Sequence, residues 1–300
     1  MGQWGRSRRR FARARSATDR SAIDHGATDR HATPLLRDPG LHAAVRDDGY
    51  AVVPGFLGRD RCVDLTGDCE RLLADVDVGT TWFTSGMIER TDLRREVFDT
   101  VGSALRPALE PLLVPGAVDV IAGHFHINPP RSTGGLGPHQ DVAIVDESDH
   151  FSLNGWIPLS DVDLSNGTLQ VVPRSHHLGN RDRSLAVPWA FEGLHDTFWA
   201  LSEPLVVPAG SLVLFDTAMV HCSAANDSDV ARVAVNCLLK PAAAPMIHLV
   251  ADEQTVPGQV ESYEVPVDFY IGGDLSARPD PGRSRHLGAH PIADCDPDPA

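Results

Sequence analysis

The sequence predicts a mainly β fold, a sandwich or barrel with a few helices packed on its outside, and three observations carry that expectation. From residue 118 onward the chain breaks into short alternating or β-branched runs, at 118–127, 151–159, 168–172, 205–207, 211–215 and 230–239. Turn signals punctuate them, among them Pro129-Pro130, Gly134-Gly135, Asn166-Gly167 and Pro208-Ala209-Gly210. Ahead of them, apolar residues recur largely at helical spacing.

The elements follow in order. Residues 35–48 suit a short helix through Leu41 and Val45, ended by Asp48-Gly49. Residues 50–53 read as a strand closed by Pro54-Gly55. Residues 59–76 form a helix in which Val63, Leu65, Leu72, Leu73 and Val76 share one broad face. A further helix spans 93–105, before Pro107 interrupts it. One catalytic domain over residues 35–275 is more economical than two. A disordered basic arm (1–34) and a disordered tail rich in Pro, Asp and Arg (276–300) flank it.

Composition narrows the function classes. Hydrophobic residues at 42% and charged residues at 22% describe an ordinary soluble chain. No run approaches the ~18 apolar residues that mark a membrane span. The net charge of -15 is uneven: residues 1–33 hold eight Arg against three Asp, and the rest holds 18 basic against 38 acidic residues. So acidic a body repels a phosphate backbone, which argues against nucleic acid as a partner. Five cysteines, an odd number without a Cys-x-x-Cys, suit a reducing compartment, and the expected location is cytoplasmic. The Arg8-Arg9-Arg10 stretch looks like an export signal, but the polar residues after it lack the apolar segment such a signal needs.

The chemistry concentrates in three places. His139-Gln140-Asp141 places an imidazole and a carboxylate two residues apart, on one side of an extended chain. Far downstream, His221 follows the apolar run 212–215. Two nitrogens and one oxygen on one face of a metal make the facial triad of non-haem Fe(II) oxygenases, with open positions left for co-substrate and dioxygen. A structural Asp–His hydrogen bond is the competing reading of His139 and Asp141. Arg232 opens an otherwise apolar strand, and an inward guanidinium there needs a carboxylate. A dicarboxylate chelating iron at one end would meet Arg232 at the other, with Ser223 donating its hydroxyl; a rim salt bridge is the alternative.

The ordered set formed by residues 49–57, His139-Gln140-Asp141, residues 156–159, residues 166–176, His221-Cys222-Ser223 and Arg232 resembles the phytanoyl-CoA dioxygenase family of Fe(II)/2-oxoglutarate oxygenases. The likeness runs from about residue 45 to 245. It implies a double-stranded β-helix, the cupin-like jelly roll. It implies Fe(II) on His139, Asp141 and His221, and 2-oxoglutarate held by Arg232 and Ser223, with Trp156 and Thr168 beside it. It also implies dioxygen as a co-substrate, release of succinate and CO2, and hydroxylation of an unactivated C–H bond. Asp141 favours that outcome, because related halogenases carry a small residue there so that chloride can bind. In one departure, Asn128 stands where relatives often carry a basic residue before Pro-Pro.

A small or medium metabolite is the expected substrate. His124 and His126, on one side of a strand, are candidate pocket residues; Arg90, Arg181 and Arg183, in the candidate lid segments 77–92 and 178–200, are candidates for an acidic substrate group. His176 and His177 are expected to be structural. Two other classes stay open: a jelly roll that binds ligand without turnover, and a cupin-type metal-dependent isomerase or hydrolase. Neither would consume 2-oxoglutarate. Oligomeric state is not legible in the sequence.

Overall fold

A computed structural model describes residues 29–292 apart from 180, 253 and 255. The elements, in chain order, are α1 (Pro39–Asp48), β1 (Tyr50–Val53), α2 (Arg59–Leu72), β2 (Phe83–Thr84), α3 (Thr91–Leu109), β3 (Val118–Asn128), β4 (Leu136–His139) and β5 (Leu153–Pro158). They continue with β6 (Leu169–Val171), α4 (His195–Leu201), β7 (Glu203–Pro204), β8 (Leu212–Asp216), β9 (His221–Ser223), β10 (Arg232–Pro241), β11 (Ile247–Ala251), β12 (Gln259–Glu264), α5 (Val267–Gly272) and β13 (Arg285–Pro291).

The strands form a six-stranded sheet ordered β1-β8-β5-β10-β3-β2 and a four-stranded sheet ordered β4-β9-β6-β7, with all pairings within them antiparallel. This is the double-stranded β-helix. Between the two sheets lies an apolar cluster built by Trp156, Leu169, Val171, Val213, Phe215 and Ala234. On the outer face of the larger sheet α2 and α3 contribute Leu65, Val97, Val101 and Leu105 to the largest cluster. Gly123 on β3 permits this approach, since a Cβ there would stand 2.5 Å from the Val101 side chain. Among the described residues no helix is long and apolar enough to cross a membrane.

Several expectations need correction. The buried stripe of α2 is Cys62, Leu65, Cys69 and Leu72, with Val63 turned to solvent at 70% exposure. Cysteine packs there as a small apolar residue, which a reading by aliphatic residues alone misses. Helix α3 carries Pro107 in its last turn and runs on to Leu109, because so near its end the proline costs only one ladder bond. Residues 205–207 contribute one isolated bridge, Val162 to Val207, in place of a strand.

Parts of both flanks expected to be disordered are ordered. Residues 285–291 form β13, which pairs with β12 in a third sheet, and Arg278 binds Glu261 and Asp252. An edge strand needs backbone pairing and tolerates polar side chains, so a low apolar content did not exclude it. At the other end, Arg30 and His31 pack against buried Asp216. The arginine-rich stretch before residue 29 lies outside the described residues.

Candidate metal centre

His139 and His221 face each other across the β4–β9 pairing, with ring centroids 4.2 Å apart. Asp141 follows two residues after the end of β4. Its Oδ1 lies 4.0 Å from His139 Nε2 and 3.8 Å from His221 Nε2, too far for hydrogen bonds. The three ligand atoms lie within 4.8 Å of one another, the spacing of groups that could share one cation. The competing reading, a plain Asp–His hydrogen bond, is absent from this geometry.

Each ligand is oriented from behind. His139 Nδ1 lies 2.9 Å from the Gly137 carbonyl and His221 Nδ1 lies 3.0 Å from the Met219 carbonyl. A carbonyl only accepts, so Nδ1 carries the proton and Nε2 keeps its lone pair toward the centre. Burial and the neighbouring His221 hold His139 down at about 4, so its ring is neutral at pH 7. Burial resists ionisation of Asp141, yet His221, His139 and the Asn154 amide together keep its carboxyl below the usual range. Asn154 Nδ2 donates to Asp141 Oδ2 at 2.8 Å. Sequence reasoning missed Asn154, although it stands two residues before Trp156 on β5 and so shares its face.

Period-2 alternation along β9 turns His221 and Ser223 to one side. Arg232, at the start of β10, is 2% exposed; its Nη2 donates to the Gly167 carbonyl and to Ser223 Oγ, both at 2.8 Å. Its Nε has no partner, and among the described residues no carboxylate pairs with it. Burial lowers its pKa to about 10, which still leaves it charged at pH 7. Its Cζ lies 5.7 Å from the centroid of the Trp156 ring. A buried cation without a counter-charge is costly, and a bound anion relieves it. Ser223 Oγ donates to the Gly167 carbonyl, and Asn128, paired with Arg232 in register, donates to the Ala224 carbonyl.

A cavity of about 140 Å³ between the sheets is lined by Trp82, His126, the three ligand residues and Arg232, among others. Trp156 and Ser223 also line it. Thr168, expected beside the co-substrate, instead gives its hydroxyl to the Leu205 carbonyl at 2.6 Å. His126 reaches the cavity, packed edge-on against Trp82 with ring centroids 5.2 Å apart, and burial pushes its pKa to about 3. His124 shares its side of β3 but abuts Gly86 outside the cavity lining. Arg90 is exposed and pairs with Asp92. Arg183, expected at a pocket wall, is 4% exposed and makes two hydrogen bonds to Glu147, at 2.7 and 2.8 Å. His176 is structural, with Nε2 donating to the Arg46 carbonyl at 3.0 Å.

Two imidazole nitrogens and a carboxylate suit Fe(II), and the unpaired guanidinium beyond them suits the far carboxylate of a dicarboxylate. Fold and site thus define a non-haem iron enzyme that depends on 2-oxoglutarate. The profile of the family described as phytanoyl-CoA dioxygenase (PhyH) matches residues 45–234, and the chain belongs to that family. Phytanoyl-CoA dioxygenase domain-containing protein 1 of Mus musculus is 27% identical over 257 residues, covering 66% of this chain and 88% of that protein. The epimerase SnoN, crystallised with Fe3+, alpha ketoglutarate and nogalamycin RO, superimposes with a TM-score of 0.52 at 21% identity, over 70% of this chain and 87% of that one. Apo HygX from Streptomyces hygroscopicus gives a TM-score of 0.50 at 16% identity, over 69% and 87%.

Proposed function

We propose that the protein hydroxylates an unactivated C–H bond of a small or medium metabolite, consuming 2-oxoglutarate and dioxygen and releasing succinate and CO2. The observation that carries this reading is the pairing of a complete His-Asp-His set with a buried cation, Arg232, that meets no carboxylate among the described residues. His139, Asp141 and His221 hold Fe(II), and Arg232 with Ser223 holds the distal carboxylate of 2-oxoglutarate. The bound iron supplies the dioxygen chemistry, in which oxidative decarboxylation of 2-oxoglutarate is coupled to oxygen insertion into the substrate.

The chain's own residues prepare that chemistry. Gly137 and Met219 carbonyls fix the imidazole tautomers. Trp156, Leu169 and Phe215 wall the cavity and limit water. Asp141 would occupy the place at the metal where related halogenases carry a small residue, which favours hydroxylation. His126 and Trp82 at the same cavity offer a neutral, partly aromatic wall to the substrate.

SnoN carries an epimerase activity on this fold, so the assay must detect isomerisation as well as oxygen gain. Anaerobic Fe(II) with 2-oxoglutarate should give a weak visible charge-transfer band, and air should then yield succinate. Absence of both would overturn the reading, and turnover without oxygen uptake would move it to the cupin-type isomerases. A screen across metabolite classes, with mass spectrometry for the gain of one oxygen, identifies the substrate. Asp141→Ala should abolish product while leaving the fold intact.

A further inference from the structure

The turn from Asp216 to Met219, between β8 and β9, touches Asp141, His221 and the Gln140 that precedes Asp141. The Thr217 carbonyl accepts from the Asp141 backbone N–H at 3.0 Å. The Ala218 carbonyl accepts from Gln140 Nε2 at 2.6 Å, and the Met219 carbonyl accepts from His221 Nδ1 at 3.0 Å. The conformation of this short turn therefore sets the backbone of Asp141, the ring of His221 and the side chain of Gln140, which stands between His139 and Asp141.

Asp216 holds the turn. One carboxylate oxygen accepts from the Ala218 N–H at 2.8 Å, and the Asp216 carbonyl accepts from Met219 N–H. The other oxygen meets Arg30 Nη2 at 2.7 Å and His31 Nε2 at 2.9 Å. Asp216 is wholly buried. Beside it, Glu147 is bound by Arg183, whose Nε donates to the Asp141 carbonyl at 2.9 Å, and Arg30 Nη1 stands 3.8 Å from the same Glu147. Two carboxylates and two guanidiniums thus form one buried, charge-balanced cluster against Asp141. Arg30 is the member that bridges both carboxylates, and it comes from sequence ahead of the family match, which begins at residue 45.

We propose that Arg30, supported by His31, is a positioning residue for the metal centre, locking the Asp216–Met219 turn that orients Asp141 and His221. This rests on the iron assignment above. Removing the Arg30 charge leaves Asp216 and Glu147 with excess negative charge in a buried place, and the turn relaxes toward water. Outer-shell partners of this kind commonly change metal affinity by about 10–100-fold.

The test is an anaerobic Co(II) titration of the full chain, read by the visible absorption of bound Co(II), with circular dichroism and thermal melting of the metal-free protein. Arg30→Met should raise the Kd for Co(II) by about tenfold or more and alter the band shape. Arg30→Gln, a milder neutralisation, should do the same and decides the matter if the methionine variant does not fold. Arg30→Lys should recover most of the affinity. A folded neutral variant that binds Co(II) with the wild-type Kd and spectrum would overturn the proposal, even if its melting temperature falls. If His221→Ala abolishes Co(II) binding while Arg30→Met does not change it, this proposal fails alone. If the wild-type chain binds no Co(II), the iron assignment fails with it.

Discussion

Asn154 Nδ2 donates to Asp141 Oδ2 at 2.8 Å, leaving Oδ1 as the carboxylate oxygen turned to both histidines. One amide on the larger sheet thereby decides how a carboxylate just beyond the smaller sheet presents itself. The contact links β5 to the loop after β4 and would leave Oδ1 as the oxygen Asp141 offers a metal held with His139 and His221.

Asn154→Ala therefore frees Asp141 to rotate and strips a half-buried oxygen of its donor. Metal affinity should fall by about tenfold or more, measured by anaerobic Fe(II) or Co(II) titration. Unchanged affinity in the folded variant would show that β5 does not orient the ligand.

Arg232 offers charge-assisted hydrogen bonds from a desolvated position. Such bonds are worth about 1.5–3 kcal/mol, so Arg232→Ala should weaken 2-oxoglutarate binding by roughly 10- to 150-fold. Anaerobic titration of the Fe(II)-loaded protein with 2-oxoglutarate measures this, and Fe(II) affinity without the co-substrate should stay near wild type. Arg232→Lys should recover only part, because a point charge lacks the planar fork.

Gly167 combines two needs. Its φ is +69°, and a Cβ would stand 2.4 Å from Asn128 Nδ2 and 2.5 Å from the Ala224 carbonyl. Its own carbonyl accepts from both Arg232 and Ser223. Gly167→Ala should cost about 1–3 kcal/mol of stability and should also raise the KM for 2-oxoglutarate. Thermal melting and steady-state kinetics on one preparation check both.

His176 predicts an acid dependence of stability. Burial is the main cause that lowers its pKa to about 4, with His177 and Arg30 disfavouring the charged ring and the Arg46 carbonyl and Asp216 favouring it. The folded ring stays neutral while the unfolded ring protonates near 6.5. Unfolding then takes up a proton between about pH 6.5 and 4, so stability falls as pH falls through that window, by up to about 1.4 kcal/mol per pH unit. Asp216 adds to the loss at still lower pH, since its carboxyl is held far below the usual range and its stabilisation disappears as it protonates. Denaturant melts from pH 7 to 4 should show a shallower slope for His176→Gln than for wild type.

Legibility in the sequence followed the range of the interactions. Strand period and turn residues act over a few positions, so strands over 50–53 and 118–128 lay near their expected places. The expected triad residues do converge, because His139 and Asp141 sit two apart and His221 opens a strand beside them. Strand β13 escaped because it is an exposed edge strand whose polar residues carry little apolar signal.

By itself the sequence determined the donor types, their order along the chain and the fold class, all of which depend on local spacing. Only the tertiary structure decided which cations are free. Arg90, Arg183 and Arg232 look alike as residues, yet Arg90 lies in solvent against Asp92, Arg183 is consumed by Glu147 and Arg232 is buried with no carboxylate partner among the described residues. Whether a buried charge is paired depends on neighbours far away in sequence, as Arg30 and Asp216 are at a separation of 186 residues. Burial then makes an unpaired charge costly, and that cost marks where an anionic ligand belongs.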